Sequence, residues 1–222
     1  MTIKAVIFDV DGVLVRTDAM HEHAWRTLAQ REGLPFPDGL SDKLRGVSRE
    51  RSLELLLGSA SDRYTGEQRA GLMHFKNELF LAEVRAMTPT DVLPGVRELI
   101  TELKNAGGKL AAASASRNAR LVLDRTDLAS SLDAIIDGND APLAKPNPQC
   151  FLLAAQALGV APADCVVVED APAGVEAAIN AGMKVVGVGP CEHDARVSSG
   201  AQSLHACSGQ LHATVVDKTR AG

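Results

Sequence analysis

The sequence predicts an α/β fold, in which helices cover a parallel β-sheet and a small helical domain interrupts the series. Three observations support this fold class. Short apolar runs rich in β-branched residues alternate with helical patterns along most of the chain. Residues 17–87 break the alternation, because they contain helical patterns and no strand-like run. Acidic side chains stand at the ends of two predicted strands, where open α/β sheets bind their ligands.

Five segments are predicted as strands, because they are short, apolar and bounded by turn residues. These segments are Ile3–Val10, Lys109–Ser114, Asp133–Asp137, Cys165–Val168 and Lys184–Val188. Helical patterns lie between them, with glycine and proline at their ends as starts and stops require. The predicted helices are Gly95–Asn105, Asn118–Arg125, Pro148–Leu158 and Ala173–Ala181. A strand–helix alternation of this kind predicts the parallel sheet.

The interrupting stretch carries three helical patterns, at His21–Arg31, Arg49–Leu57 and Glu67–Val84. A helical block directly after the first strand indicates an inserted cap domain. We therefore predict a core domain of residues 1–16 and 88–222 and a cap domain of residues 17–87, with linkers near residues 15–17 and 88–91. The tail from residue 190 has the weakest pattern. We expect an edge strand at Val215-Val216 and disorder over Lys218–Gly222.

The composition excludes several classes of protein. The chain has 222 residues, of which 45% are hydrophobic and 23% charged, which is ordinary for a globular protein. A net charge of −5 argues against nucleic-acid binding, which favours basic surfaces. No apolar run approaches the roughly 18 residues of a membrane span, and the first residues lead directly into a strand pattern without a signal peptide. We expect a cytoplasmic monomer with neither a nucleic-acid nor a membrane partner.

The four cysteines are widely spaced and form no paired metal-binding pattern. They are Cys150, Cys165, Cys191 and Cys207. We interpret them as reduced thiols that pack in the interior, in keeping with a cytoplasmic setting.

The first candidate for chemistry is the run Ile-Phe-Asp-Val-Asp-Gly-Val, which contains Asp9 and Asp11. Aspartates at i and i+2 of one strand point to the same face, and a strand's carboxyl end brings them to the ligand-binding crevice. Phosphoryl transfer needs a nucleophile, a proton donor and a cation that neutralises phosphate charge. Asp9 and Asp11 can supply the first two and help to hold the third. The alternatives are a solvated turn with chance acids, or half of a calcium loop whose later ligands are missing.

Three further motifs follow in order. Ser114-Ala115-Ser116 ends a predicted strand, and its hydroxyl and backbone N–H groups can hold a phosphoryl oxygen. Lys145-Pro146 offers a fixed cation, and Glu169-Asp170 places two acids at another strand's end, suited to magnesium. Each motif alone has an ordinary alternative: a helix cap for Ser114, a solvated surface side chain for Lys145, and a common strand-end pair for Glu169-Asp170.

Together the four motifs resemble the haloacid dehalogenase (HAD) superfamily, whose first motif is Asp-x-Asp-x-(Val/Thr). The resemblance implies the HAD fold, a Rossmann-like parallel sheet with a helical cap. It also implies magnesium-dependent phosphoryl transfer through a phospho-aspartate on Asp9. Two positions depart from the superfamily pattern. Arg16 replaces an acid that is common after the first motif, and Ala171-Pro172 replaces the more usual serine after the Glu-Asp pair.

Within the superfamily the chain resembles the β-phosphoglucomutase family along nearly its whole length except the tail. The supporting residues lie in the cap and in the loops that face it. Thr17, His21 and Trp25 fall on the first cap helix, and the run Gly-Val-Ser-Arg-Glu-Arg-Ser at residues 46–52 is similar to the family's substrate loop. Lys76-Asn77 and the run Ser-Ala-Ser-Arg-Asn at residues 114–118 complete the resemblance.

That resemblance assigns a role to each candidate residue. Asp9 is the nucleophile and Asp11 the general acid–base. Ser114, Ala115 and Lys145 hold the transferring phosphoryl group, and Arg49, Ser116 and Asn118 hold the distal phosphate. His21, Trp25, Gly46, Val47, Ser52 and Lys76 surround the sugar. Asp9, Asp11 through its carbonyl, Glu169 and Asp170 ligate Mg²⁺.

The cap residues also have structural alternatives. Trp25 can be core packing, Arg49 a charge in a first helical turn, His21 a surface histidine and Asn118 a helix-start residue. A sugar carrying phosphate at both ends nevertheless needs a second anion site, and a guanidinium binds phosphate in bidentate fashion. The resemblance therefore implies that these residues bind substrate.

The implied activity is the interconversion of β-D-glucose 1-phosphate and D-glucose 6-phosphate. It proceeds through an aspartyl-phosphate, with β-glucose 1,6-bisphosphate as activator and intermediate and Mg²⁺ as cofactor. Two alternatives stay open from the sequence: a sugar-phosphate phosphatase of the same superfamily, and a catalytically silent protein that binds a phosphorylated ligand.

Overall fold

Six parallel strands form the sheet at the centre of the computed structural model, which describes residues 3–201. They are β1 (Ala5–Phe8), β2 (Lys109–Ala113), β3 (Ala134–Ile136), β4 (Cys165–Glu169), β5 (Lys184–Val188) and β6 (Ser199–Ala201). Their spatial order is β3-β2-β1-β4-β5-β6, and every neighbouring pair is parallel. The strand order reverses at β1, and such a switch point is where open α/β sheets form their ligand crevice.

The alternation of side chains along β1 explains why both faces of the sheet are covered. Val6 and Phe8 belong to the hydrophobic cluster on one face, whereas Ala5 and Ile7 belong to the cluster on the other. All four residues are fully buried. A strand that is apolar at consecutive positions must be covered on both faces, as parallel sheets are.

Eight α-helices accompany the sheet within the described residues. They are α1 (Asp18–Glu32), α2 (Leu40–Leu44), α3 (Arg49–Leu57), α4 (Gly66–Ala86), α5 (Val96–Asn105), α6 (Ala119–Arg125), α7 (Gln149–Leu158) and α8 (Pro172–Asn180). Local sequence sets their ends: Thr65 and Gln68 form a capping box before α4, and Gly33 ends α1 in a left-handed conformation. No helix within residues 3–201 has the length and hydropathy that a membrane span requires.

Helices α1 to α4 form a helical insert between β1 and the helix that precedes β2. The insert has an apolar cluster of its own, which includes Trp25, Leu28, Leu53, Leu56 and Leu72. The fold class predicted from the sequence, a parallel sheet interrupted by a helical insert, is confirmed. The division of the chain at residues 16/17 and 87/88 stays a prediction.

The structure corrects the extent of several predicted elements. Strand β1 ends at Phe8 rather than Val10, so Asp9 and Asp11 follow the strand instead of lying on it. The chain turns there because the N–H groups of Leu14 and Val15 both donate to the Val10 carbonyl. The prediction also missed α2, which has only five residues, and β6 in the tail.

Three predictions for the tail concern residues outside the described range. They are the strand at Val215-Val216, the disorder of residues 218–222 and the reduced state of Cys207. The other three cysteines are buried free thiols, as predicted.

We predict that Phe151→Ala destabilises the fold strongly. Phe151 lies on α7, is fully buried, and packs in the same cluster as Ala5 and Ile7 of β1. Truncation of a buried phenylalanine leaves a cavity and costs about 3–5 kcal/mol. Denaturant unfolding measures this loss. The control is Leu152→Ala on the same helix, because Leu152 is 40% exposed and should lose far less. Similar losses for both variants would contradict the described packing of α7.

Candidate active site

A single cavity lies between the carboxyl ends of β1 and β2 and the helical insert. It brings together most of the residues singled out from the sequence, namely Asp9, Asp11, His21, Trp25, Gly46, Val47, Arg49, Ser52, Lys76, Ser114, Ala115, Ser116 and Asn118. Lys145, Glu169 and Asp170 do not line the cavity but form a buried group that includes Asp9. The residues proposed from the sequence therefore belong to one site.

A buried lysine lies between two carboxylates, one of which is the cavity residue Asp9. The Lys145 ammonium lies 2.5 Å from Asp9 Oδ1 and 2.5 Å from Glu169 Oε1, and it also donates to the Ala113 carbonyl at 3.4 Å. Burial favours the neutral lysine, but the Asp9 and Glu169 carboxylates raise its pKa well above the usual value. Lys145 is therefore a fixed internal cation, and its interpretation as a solvated surface lysine is wrong.

The backbone at the start of α8 fixes the Glu169 carboxylate. Glu169 Oε2 accepts hydrogen bonds from the N–H groups of Asp170 (2.8 Å) and Ala171 (2.9 Å). Helix α8 approaches so closely that a Cβ atom on Gly174 would lie 1.7 Å from Glu169 Oε1. Ala171, which departs from the superfamily pattern, thus contributes its backbone N–H to the site. A glycine at position 174 is needed because the carboxylate occupies the space of a side chain.

Three buried carboxylates can hold a metal ion. Asp9, Glu169 and Asp170 each offer an oxygen, and these atoms all lie within 4.8 Å of one another. Burial, together with repulsion between the neighbouring carboxylates, raises the pKa of Asp9 and of Asp170. Such a cluster favours a cation, and an all-oxygen donor set suits Mg²⁺. The Asp11 carboxylate is not part of this group, and the contribution of its carbonyl to the metal site stays a prediction.

An arginine of the helical insert reaches this carboxylate cluster. Arg45 donates to Asp170 Oδ2 at 2.9 Å and lies 3.9 Å from Asp18 Oδ2. Arg45 was not predicted from the sequence as a site residue, although it directly precedes the Gly46-Val47 loop that was predicted to contact the substrate. The contact joins the insert to the sheet at the carboxylate cluster.

The Asp11 carboxylate is held by three side chains. Thr17 donates to Oδ1 at 2.5 Å, Ser114 donates to Oδ2 at 3.2 Å, and His21 Nε2 lies 3.6 Å from Oδ1. Burial favours the protonated form, but these neighbours lower the pKa of Asp11 to about 2. Asp11 is therefore ionised at neutral pH and oriented to accept a proton. The Ser114 hydroxyl thus binds Asp11, a contact that was not predicted in addition to its predicted contact with phosphate.

The partly buried His21 and the buried Lys76 form a pair on the insert. Lys76 Nζ lies 2.7 Å from His21 Nδ1, and it also stands 5.1 Å from the Trp25 ring centroid and 4.8 Å from that of Phe80. Burial, and then the charge of Arg49, lowers the pKa of Lys76 to about 7. Burial and the charge of Lys76 also lower the pKa of His21. A neutral His21 that accepts at Nδ1 carries its proton on Nε2, the nitrogen nearest Asp11.

The cavity wall also carries a partly buried cation, Arg49. Among the described residues, Arg49 forms no hydrogen bond or salt bridge, and burial followed by the charge of Arg117 lowers its pKa. Ser116 Oγ accepts from the Asn118 N–H at 3.2 Å, and Asn118 Nδ2 donates to Asn77 Oδ1 on α4 at 2.9 Å. These groups form a candidate anion site where the sheet and the insert meet.

Arg117 was also missed from the sequence, although it lies within the identified Ser114–Asn118 loop. It lines the cavity and forms a 2.8 Å salt bridge with Glu50 of α3. Its partially exposed position places a second positive charge near the anion site.

We predict that Lys76→Met makes the protein more stable at low pH and that this advantage shrinks as pH rises. The folded pKa of about 7 lies below the ordinary value of 10.5, so the unfolded chain binds the proton more strongly. Wild-type stability relative to the variant should therefore rise with pH between these values. Urea unfolding at about pH 6 and pH 9 measures the effect. The exposed Lys43→Met variant is the control, and a pH-independent difference for Lys76→Met would contradict the assignment.

Comparison with known proteins agrees with this geometry. Residues 3–182 match the family of haloacid dehalogenase-like hydrolases. The chain is 43% identical over 189 residues to a β-phosphoglucomutase of Bacillus subtilis, with 84% of each chain covered. It is also 33% identical over 184 residues to a phosphorylated carbohydrates phosphatase of Thermotoga maritima, covering 82% of this chain and 83% of the other.

A solved structure gives the same result in three dimensions. The crystal structure of a β-phosphoglucomutase from Clostridium difficile superimposes with a TM-score of 0.87 and 31% sequence identity, over 97% of this chain and all of the other. The likeness thus extends over the sheet and the helical insert together. The chain belongs to the haloacid dehalogenase-like hydrolase family.

Proposed function

We propose that this chain is a magnesium-dependent phosphomutase that interconverts β-D-glucose 1-phosphate and D-glucose 6-phosphate. The β-phosphoglucomutases among its relatives support the reaction, with matches over most of the sequence and fold. A phosphorylated carbohydrates phosphatase is also among its relatives, so the choice between the two activities depends on features that a phosphatase does not need.

The guanidinium of Arg49, which has no partner within residues 3–201, is the observation that carries the proposal. It lies in the cavity wall together with Ser116 and Asn118, in the same cavity as Asp9. A phosphatase that acts on one phosphate needs no second anion site, whereas a mutase must hold a phosphate at each end of the sugar. A charge-assisted hydrogen bond from Arg49 to the distal phosphate would supply that second anion-binding contact.

The proposed reaction begins with attack by a carboxylate oxygen of Asp9 on a phosphorus of β-glucose 1,6-bisphosphate. The bond from phosphorus to the sugar oxygen breaks, and Asp11 gives that oxygen the proton that it took from a sugar hydroxyl in the preceding half of the cycle. Lys145 keeps Asp9 in place and carries positive charge next to the reacting group. Mg²⁺ bound by the carboxylate cluster would neutralise charge on the transferring phosphoryl group.

The second half of the reaction reverses these steps at the other end of the sugar. The monophosphate turns over within the cavity, and its other hydroxyl attacks the phospho-aspartate. Ionised Asp11 takes the proton of that hydroxyl, as general base catalysis requires. Thr17, His21 and Ser114 hold Asp11 in position for both transfers. Closure of residues 17–87 over the site would exclude water and protect the phospho-aspartate.

We propose that the protein works in a reducing compartment. The three described cysteines are free, buried thiols, and unpaired cysteines are the usual state in the cytoplasm. We therefore propose a cytoplasmic enzyme of sugar-phosphate metabolism.

A coupled assay tests the proposed reaction. Conversion of β-glucose 1-phosphate to glucose 6-phosphate is followed with and without β-glucose 1,6-bisphosphate, in the presence of Mg²⁺. We expect isomerisation that the bisphosphate stimulates, because it supplies the phosphoryl group of Asp9. Release of inorganic phosphate as the dominant product, with no isomerisation, would identify a phosphatase instead.

We predict that Arg49→Ala impairs isomerisation selectively. Loss of a hydrogen bond to a charged group costs about 1.5–3 kcal/mol, which corresponds to roughly 10–150-fold in rate. Hydrolysis of a small aryl phosphate should remain nearly intact, because a substrate with one phosphate does not reach Arg49. The ratio of the two activities is the measurement.

The matched control for this prediction is Arg51→Ala. Arg51 lies on the same helix but outside the cavity, in an exposed salt bridge with Glu54 at 2.9 Å. It should leave both activities unchanged. Equal losses of both activities in Arg49→Ala would mean that Arg49 supports the fold rather than the distal phosphate.

A further inference from the structure

An arginine of the helical insert binds a carboxylate that the proposed metal site also needs. Arg45 Nη1 donates to Asp170 Oδ2 at 2.9 Å, and the Asp170 side chain is only 3% exposed. Asp170 is also one of the three buried residues whose oxygens lie within 4.8 Å of one another and can hold a metal ion. The guanidinium therefore reaches directly into the group of carboxylates that would bind Mg²⁺.

The backbone on either side of this contact fixes its position. Gly46 follows Arg45 in the insert, and Ala171 follows Asp170. A Cβ atom on Gly46 would lie 2.6 Å from the Ala171 Cβ atom, so the two chain segments pack directly against each other. Asp170 Oδ2 also lies against the loop after β1, because a Cβ atom on Gly12 would be 2.3 Å from it. The Asp170 carboxylate is thus confined between this loop and the insert.

The charges around the carboxylates determine how the arginine affects a metal ion. Asp9, Glu169 and Asp170 carry three negative charges when they are ionised. The buried Lys145 ammonium offsets one of these charges, since it contacts both Asp9 and Glu169. Arg45 offsets another at Asp170. Affinity for a divalent cation depends on the charge of its ligands, and a guanidinium on a ligand carboxylate repels a second cation there. The contact should therefore lower the affinity for Mg²⁺.

We propose that Arg45 competes with Mg²⁺ for the Asp170 carboxylate and thereby sets the metal affinity of the site. The inference rests on the proposed function, because it assumes that the carboxylate cluster binds Mg²⁺. By linkage the effect is reciprocal, so bound Mg²⁺ weakens the contact between Arg45 and Asp170 by the same factor. Arg45 is thus a residue through which the metal site and the helical insert influence each other.

Calorimetric titration with Mg²⁺ measures the competition without any turnover. The titrations are run at about pH 8, where ordinary carboxyl groups are ionised. Arg45→Met removes the charge and keeps much of the length of the side chain. We expect this variant to bind Mg²⁺ roughly 5–150-fold more tightly than wild type, the usual range of coupling between two sites. Arg45→Lys keeps a positive charge and should bind Mg²⁺ more weakly than Arg45→Met.

The matched control is Arg51→Met, which removes the same charge elsewhere on the insert. Arg51 lies outside the cavity in an exposed salt bridge with Glu54 at 2.9 Å, so its replacement should leave the Kd for Mg²⁺ unchanged. Thermal unfolding provides a second measure, because a ligand that binds only the folded state stabilises it more when its Kd is lower. Addition of Mg²⁺ should raise Tm more in Arg45→Met than in wild type or Arg51→Met.

An unchanged or higher Kd in Arg45→Met would overturn the inference, because the arginine would then have no effect on the metal or would orient Asp170 for it. Arg45→Gln also lacks the charge and repeats the comparison if Arg45→Met does not fold. Tighter binding in the uncharged variants supports the competition even when wild type shows no isomerisation, a result that would overturn only the proposed reaction. Absence of Mg²⁺ binding in wild type and in every variant would overturn the competition together with the metal site.

Discussion

The contact of Lys145 with two carboxylates is the interaction on which the site depends. It joins the end of β1, the loop before α7 and the end of β4 around one buried ammonium group. Removal of one partner from a buried ion pair leaves a charge uncompensated and typically costs about 3–5 kcal/mol. The same contact orients Asp9 and Glu169 for chemistry. Stability at the carboxyl ends of the central strands and the position of Asp9, the proposed nucleophile, therefore rest on the same three side chains.

Opposite charges meet where the helical insert approaches the carboxylate cluster. Arg45 of the insert binds Asp170, and Arg49 and Lys76 of the insert face the same cavity as Asp9. Complementary surfaces of this kind orient two parts that approach one another. A phosphorylated sugar between them changes the balance, because it brings anionic groups to the cationic insert. The geometry thus links substrate charge to the association of insert and sheet.

The fold class and the acids at the strand ends were predictable from sequence because they depend on local patterns, namely alternating apolar runs and acids after strands. The cap residues of the candidate site were proposed instead from the family resemblance. Residues whose roles depend on tertiary approach were not predicted: Arg45, for example, reaches Asp170 across 125 positions of sequence. Strand β1 was predicted too long because apolar side chains at Val10 and Val13 continue inward after the strand has turned. Backbone hydrogen bonds, which composition does not reveal, end the strand.

Gly174 limits how this protein can be engineered or can drift in evolution. Replacement of a helical glycine by alanine is a common stabilising strategy, because alanine is favoured in helices by about 0.8–1 kcal/mol. In α8 the added methyl group would occupy the position of the Glu169 carboxylate. A consensus or thermostability design that scores helix propensity alone would choose this substitution and displace a buried acid of the cluster. The helix accepts a weaker local propensity so that a carboxylate can lie against its backbone.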